Sequence, residues 1–204
     1  MEVANYADLI GSAKPSGSGT VFVKGAYPAL YLDKLVCKTS EKSKDALVIP
    51  EFDILESAVP ERPAGTQVSE VFNLTGAAKQ VHPGKLRALI GALLGVEEDE
   101  LDALKPEQVT VIETVLGKDI RYVGGPNAGK PWEKKKLDGA IVGKALSPDQ
   151  PLHGRLVRAE CHPRAGKINE KTGEEWTNVK YSPLPEEHQA LANDARAAAG
   201  FPPI

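Results

Sequence analysis

The stretch that decides the fold is Leu152–Pro183, LHGRLVRAECHPRAGKINEKTGEEWTNVKYSP. Two runs of strand composition, Arg155–Cys161 and Glu175–Tyr181, flank the polar turn Asn169-Glu170-Lys171-Thr172-Gly173. Gly173 supplies the positive φ that hairpin loops demand. Side chains alternate along a strand. Trp176, Asn178 and Lys180 therefore share one face, and Thr177, Val179 and Tyr181 the other. An indole, an amide and an ammonium on one face suit base stacking and phosphate contact, with Arg155, Arg158, Arg164 and Lys167 close by. The same segment also reads as a core hairpin with a solvated, charged tip.

Working outward, the chain before the hairpin changes period once. Thr20–Lys38 is strand-rich, and Pro28 within it predicts a bend or bulge. A polar turn, Thr39–Asp45, leads to a second strand, Ala46–Ser57, with Val48, Phe52 and Ile54 opposite Glu51 and Asp53. The loop Val59–Gly65 precedes a third strand, Thr66–Leu74. Short loops between the three predict an antiparallel meander. Leu86, Leu89, Ile90, Leu93 and Leu94 then stand at helical spacing, with Gly95 as terminator. Pro106–Gly117 repeats the pattern, with Pro106 in its first turn and Val109, Ile112, Val115 and Leu116 as its stripe.

Residues 118–150 read as an irregular insertion with strand-like pieces at Ile120–Val123 and Ala140–Val142. Residues 1–19 have the composition of a flexible arm. Residues 184–204 read as a flexible C-terminal tail. It holds an Ala-rich helix candidate, 186–199, and an apolar tip, Phe201-Pro202-Pro203-Ile204.

At 204 residues the chain suits one domain with an insertion and a tail. Its net charge of −3 excludes a general polyanion binder, so any nucleic-acid site must be locally positive. Charge is segregated in that way. Lys24, Lys34, Lys38, Lys42 and Lys44 cluster early, and Lys130 with Lys134–Lys136 makes a second basic run. Acid gathers at Glu97–Glu100 with Asp102, and at Glu186-Glu187.

Cys37 and Cys161 form no CxxC pair, and His82, His153, His162 and His188 do not fall at zinc spacing. No metal or cofactor is expected. Both cysteines read as buried small apolar residues in a reducing compartment. With no signal pattern and no apolar run of membrane-spanning length, the expected location is the cytoplasm.

Gly124-Gly125-Pro126-Asn127-Ala128-Gly129-Lys130 matches G-x-x-x-x-G-K, the phosphate-cradling loop of nucleotide hydrolases. Pro131 follows where that loop needs a hydroxyl for Mg²⁺, and Trp132-Glu133-Lys134-Lys135-Lys136 is a poor start for the apolar helix that should come next. The segment reads better as a flexible basic loop with an exposed indole, Trp132. Ser, His and Asp are scattered without a nucleophile elbow, so no enzyme is expected.

Three strands in a meander, a helix, then a two-stranded hairpin is the plan of the five-stranded OB-fold barrel, with its helix between strands three and four. Ala26–Leu35 (AYPALYLDKL), Ile49–Ser57 (IPEFDILES), Arg62–Thr66 (RPAGT) and the hairpin's Thr172-Gly173 and Trp176–Pro183 (WTNVKYSP) carry a likeness. Together they resemble the OB-fold single-stranded-DNA-binding proteins of tailed bacteriophages.

The resemblance implies an OB-fold domain over 20–183 and a mainly β protein with helices; the connector 118–150 exceeds a minimal OB-fold. It implies a sequence-tolerant, non-enzymatic cover for exposed strands during replication or recombination. Carried over by position, the strand-contacting candidates are Tyr27, Tyr31, Lys34, Phe72, Trp176 and Lys180. Lys38, Lys42, Lys44, Arg155, Arg158, Arg164 and Lys167 would meet phosphates. Tyr31 and Phe72 equally suit the core of a small barrel. The implied partners are single-stranded DNA and, through the apolar tail tip, replication proteins, with a homo-oligomer left open. The tail departs from the acidic tails of many such proteins. A structural protein that docks a protein partner on the barrel is the competing expectation.

Overall fold

A computed structural model describes residues 21–75, 81–168 and 175–184, together with Asn193 and Ala197; the side chains at 165–167, 175 and 176 lie outside that description. The elements are β1 (Gly25–Thr39), β2 (Ala46–Glu56), β3 (Gln67–Ser69), β4 (Phe72–Asn73), α1 (His82–Leu93), α2 (Pro106–Leu116), α3 (Gly139–Ala145), β5 (Leu156–Ile168) and β6 (Glu175–Pro183). The strands build one open antiparallel sheet in the order β3-β2-β1-β5-β6, with β4 also paired to β2. The protein is therefore mainly antiparallel sheet with helices, as expected from the sequence.

The β5–β6 hairpin forms where its alternation predicts. Cys161 pairs with Val179 and Ala159 with Tyr181 on the core side, and Glu160 pairs with Lys180 on the outer side. Pro28 perturbs β1 as its missing N–H requires: the pairing with β5 slips between Tyr27 and Leu30. The third strand is interrupted. β3 and β4 keep one register on β2, with Glu51 opposite Ser69 and Val48 opposite Phe72. Between them Pro50 offers no N–H to the ladder, and Glu70 N–H reaches the Pro50 carbonyl at 3.4 Å. Val71 in the break is 49% exposed.

The two edges of the sheet are approached by one short segment. Val21 makes a parallel bridge to Ser69 beside β3, and the Thr177 hydroxyl of β6 donates to the Phe22 carbonyl at 3.0 Å. The Phe22 ring lies 5.1 Å from Tyr27, 6.2 Å from Phe52 and 6.3 Å from Tyr181, and joins the sheet's inner face to both edges. Such ring pairs contribute about 0.5–1.5 kcal/mol each beyond their area.

Beyond Tyr31, no strand among the described residues pairs with the β1 edge away from β2. The Gln150 side-chain amide takes that place, donating to the Leu35 carbonyl and accepting from its N–H, both at 2.9 Å.

Helix α1 buries Leu86, Leu89, Ile90 and Leu93 against the sheet. The same core cluster continues through Ile112 of α2 into the insertion at Trp132 and Ile141. Arg87 fastens the two parts: its guanidinium donates to the Leu137 carbonyl at 2.6 Å, the Leu101 carbonyl at 2.9 Å and Asp102 at 2.6 Å.

Two expectations for the insertion are corrected. Ala140–Val142 lies in helix α3, not a strand, because Asp138 caps it by accepting from Ala140 N–H at 2.9 Å. Ile120–Val123 contributes only a single bridge, Arg121 to Pro131. Among the described residues no helix is long and apolar enough to cross a membrane. The expected arm at 1–19, the hairpin turn at 169–173 and the tail after Leu184, apart from Asn193 and Ala197, lie outside the described residues.

Candidate nucleic-acid interface

Strand register places three side-chain rungs across the outer face of β1, β2 and the interrupted third strand. Val36 pairs with Ile49, and Val71 falls opposite Ile49 in the register shared by β3 and β4. Val36 and Ile49 are half-buried and Val71 is exposed, so the rung is an open aliphatic strip. On one side runs Lys38, Leu47 and Asn73; on the other run Lys34, Glu51 and Ser69.

Lys34 is neutralised by Glu51 at 3.1 Å. Lys38 and the turn residues Lys42 and Lys44 are exposed and make no ion pair among the described residues. The turn is held rigidly. The Asp45 carboxylate accepts from the Asn73 amide and the Thr75 hydroxyl, both at 3.0 Å, and hydrogen bonds from Ser43, Asn73 and Thr75 keep it below the usual carboxylate range.

The opposite end of this face is covered. Tyr31 and Leu156 pack with Leu55 and with Leu184, the residue that follows β6. The Gln67 amide donates to Asp53 at 2.8 Å, filling the space between.

The expected aromatic contacts are not on this surface. Tyr27 and Phe72 are fully buried and Tyr31 nearly so, and none offers an open ring face to a base. A small sheet needs large inward side chains, and these rings serve it: Tyr27 stacks edge-on to Phe22, and Phe72 meets His82 at 6.2 Å. Trp132 is likewise 7% exposed, not a loop indole open to solvent.

The basic candidates divide. Arg155 Nε donates to the Leu93 carbonyl at the end of α1, a structural role. Arg158 pairs with Glu160 at 3.7 Å, while Arg164 and Lys180 are exposed. The side chains of Lys167 and Trp176 lie outside the described residues.

Sequence reading missed the aliphatic rung, although the alternation Lys34, Val36, Lys38 signals it. It also missed α1. His82 Nδ1 accepts from Asn73 N–H at 2.8 Å, and Lys85 Nζ donates to Asn178 Oδ1 at 2.6 Å. Burial, and then the neighbouring Lys85 and Arg164 charges, hold the His82 imidazole below its usual value.

The glycine-rich turn is spent on itself. Ala128, Gly129 and Lys130 N–H groups donate to the carbonyls of Gly125, Tyr122 and Asn127 at 3.1, 2.8 and 2.9 Å. A phosphate cradle needs such groups free. The adjacent hollow, about 420 Å³, sets Lys135 and Lys136 against Glu133 and Asp138 and carries no net charge.

Both thiols resist ionisation, since burial pushes Cys37 up to about 11 and Cys161 to about 12. Among the described residues no group of His, Cys, Asp and Glu could hold a metal ion. No protein-family model matches the chain, and no curated protein matches it in sequence.

Proposed function

We propose that this protein binds single-stranded DNA without strong base preference, covering exposed strands in phage replication or recombination in the host cytoplasm. The observation that carries the reading is the Val36–Ile49–Val71 rung bordered by the uncompensated Lys38, Lys42 and Lys44. Bases lie on the aliphatic strip and phosphates meet the ammonium groups. The strand order, with α1 between the interrupted third strand and the hairpin, fits a five-stranded OB-fold barrel. In that barrel β3 and β4 count as one strand, and Val21–Phe22 lies between the edges. Trp176, whose alternation puts it with Asn178 and Lys180, supplies a stacking surface on the hairpin. No metal or cofactor takes part. An aliphatic rather than aromatic rung also suits a protein partner, and this is the competing reading.

Polarisation of fluorescein-labelled oligo(dT) of about 30 nucleotides, long enough to exceed one site, separates the two. Binding should weaken steeply with salt, and duplex competitor should displace the oligonucleotide poorly. Replacing both Lys42 and Lys44 by Ala should lower the log–log salt slope by about 1.4, at roughly 0.7 per phosphate contact. No binding at low salt would end the nucleic-acid reading and assign the rung to a protein.

A further inference from the structure

The positive surface does not stop at β4. Strand pairings, two hydrogen bonds and one turn of α1 connect Lys38 to β6. Lys38 faces Leu47, and Leu47 faces Asn73. Asn73 N–H meets His82 Nδ1 at 2.8 Å, Lys85 stands one turn further along α1, and its Nζ meets Asn178 Oδ1 at 2.6 Å. Lys180 lies on the same exposed side of β6 as Asn178, with Val179 buried between them.

His82 Nδ1 accepts a backbone N–H, which assigns the ring proton to Nε2 and makes that nitrogen a donor. Helix α1 has no acidic residue in its first turn. The acids beside this route are engaged: Asp45 by Asn73 and Thr75, half-buried Glu70 by the Tyr181 hydroxyl at 2.8 Å, and Glu160, opposite Lys180, by Arg158 at 3.7 Å. In the other direction the face is neutralised at Lys34–Glu51 and covered at Tyr31 by Leu184.

We infer that a bound single strand continues from the Val36–Ile49–Val71 rung over β4 and the start of α1 to β6, with His82, Lys85 and Lys180 holding its phosphates. This path rests on the single-strand reading above. It runs around the α1 side of the molecule, away from Tyr31 and Leu55.

Labelled oligo(dT) of about 6 and about 16 nucleotides, lengths within the site sizes of single OB-folds, tests the path with Lys85→Gln and Lys85→Arg. The short strand is held by the rung and lysine turn, so Lys85→Gln should leave its affinity unchanged. The longer strand should bind several-fold more weakly and lose about 0.7 from its salt slope, the share of one phosphate. Lys85→Arg should restore both, and melting temperatures should match the parent. Equal losses at both lengths, no loss at either, or failure of Arg to restore would overturn the path while Lys42 and Lys44 still supported binding. Failure of the parent protein to bind the longer strand would overturn the path and the single-strand reading together.

Discussion

At the Tyr181 hydroxyl, 2.8 Å from Glu70 Oε2, a carboxylate meets a wall of rings. Burial raises the Glu70 pKa above its ordinary 4.5, and the Tyr181 hydrogen bond and the Lys85 charge offset only part of this. As pH rises, the unfolded chain ionises first. The stability linked to Glu70 is therefore fully present below pH 4.5 and lost as pH climbs through the folded-state value. Glu70→Gln keeps an acceptor for Tyr181 and should gain on the parent in stability between about pH 4 and about pH 7. Urea titrations at the two pH values would show it, and a difference independent of pH would refute it. Single residues were only partly legible in the sequence. Lys42 and Lys44 are exposed because nothing in a turn can bury them, and Lys38 because it stands on the outer face near the end of β1. Tyr27 and Phe72 are stacking groups by the resemblance, yet the core claims them. Trp132 sits among Lys and Glu in sequence, and its burial comes from joining a core cluster drawn from the whole chain, which no local window contains.

The elements were more readable, because period is a local property. The alternation in β6 and the Leu stripe of α1 appear where they were expected. The Pro28 bulge follows from one missing donor. Ala140–Val142 misled because three apolar residues fit either period, and the Asp138 cap decides between them. The role of Gln150 was invisible, since it acts across 115 residues of sequence. That residue holds φ at +50°, a strained value for a side chain other than glycine. Gln150→Ala keeps the strain and loses both bonds to Leu35, for a cost of about 1–3 kcal/mol. Gln150→Gly loses the bonds but relieves the strain, so chemical denaturation should find it the less damaged variant. The reverse order would remove the strain argument. In α1, Gly91 has Leu101 Cδ2 only 2.5 Å from where a Cβ would stand. Gly91→Ala should cost about 1–3 kcal/mol through overpacking, despite its better helix propensity. Thermal melts would record a lower midpoint, and an unchanged or raised one would show that Leu101 yields.

Across the whole molecule, one core serves the sheet and the insertion, so the chain from Phe22 to Tyr181 should unfold together. The meander and the hairpin were legible from their succession along the chain, but the β1–β5 pairing that joins them was not. The way Val21–Phe22 meets both edges was not, because a segment read as the start of a strand lies apart from β1. Phe22 is the part of that segment with most to lose: Phe22→Ala opens a void among Tyr27, Phe52 and Tyr181 and should cost about 3–5 kcal/mol. Amide exchange near Ser69 and Thr177 should rise more in this variant than in the centre of β1, and uniform loss of protection would contradict that. The joint also has a mechanical meaning. Elsewhere neighbouring strands share ladders of backbone bonds, but among the described residues the edges are fastened by one parallel bridge and the hydroxyls of Thr177 and Tyr181. Tension between Val21 and Leu184 would load that fastening before any ladder, so under force the molecule should yield there first, as a hoop parts at its clasp.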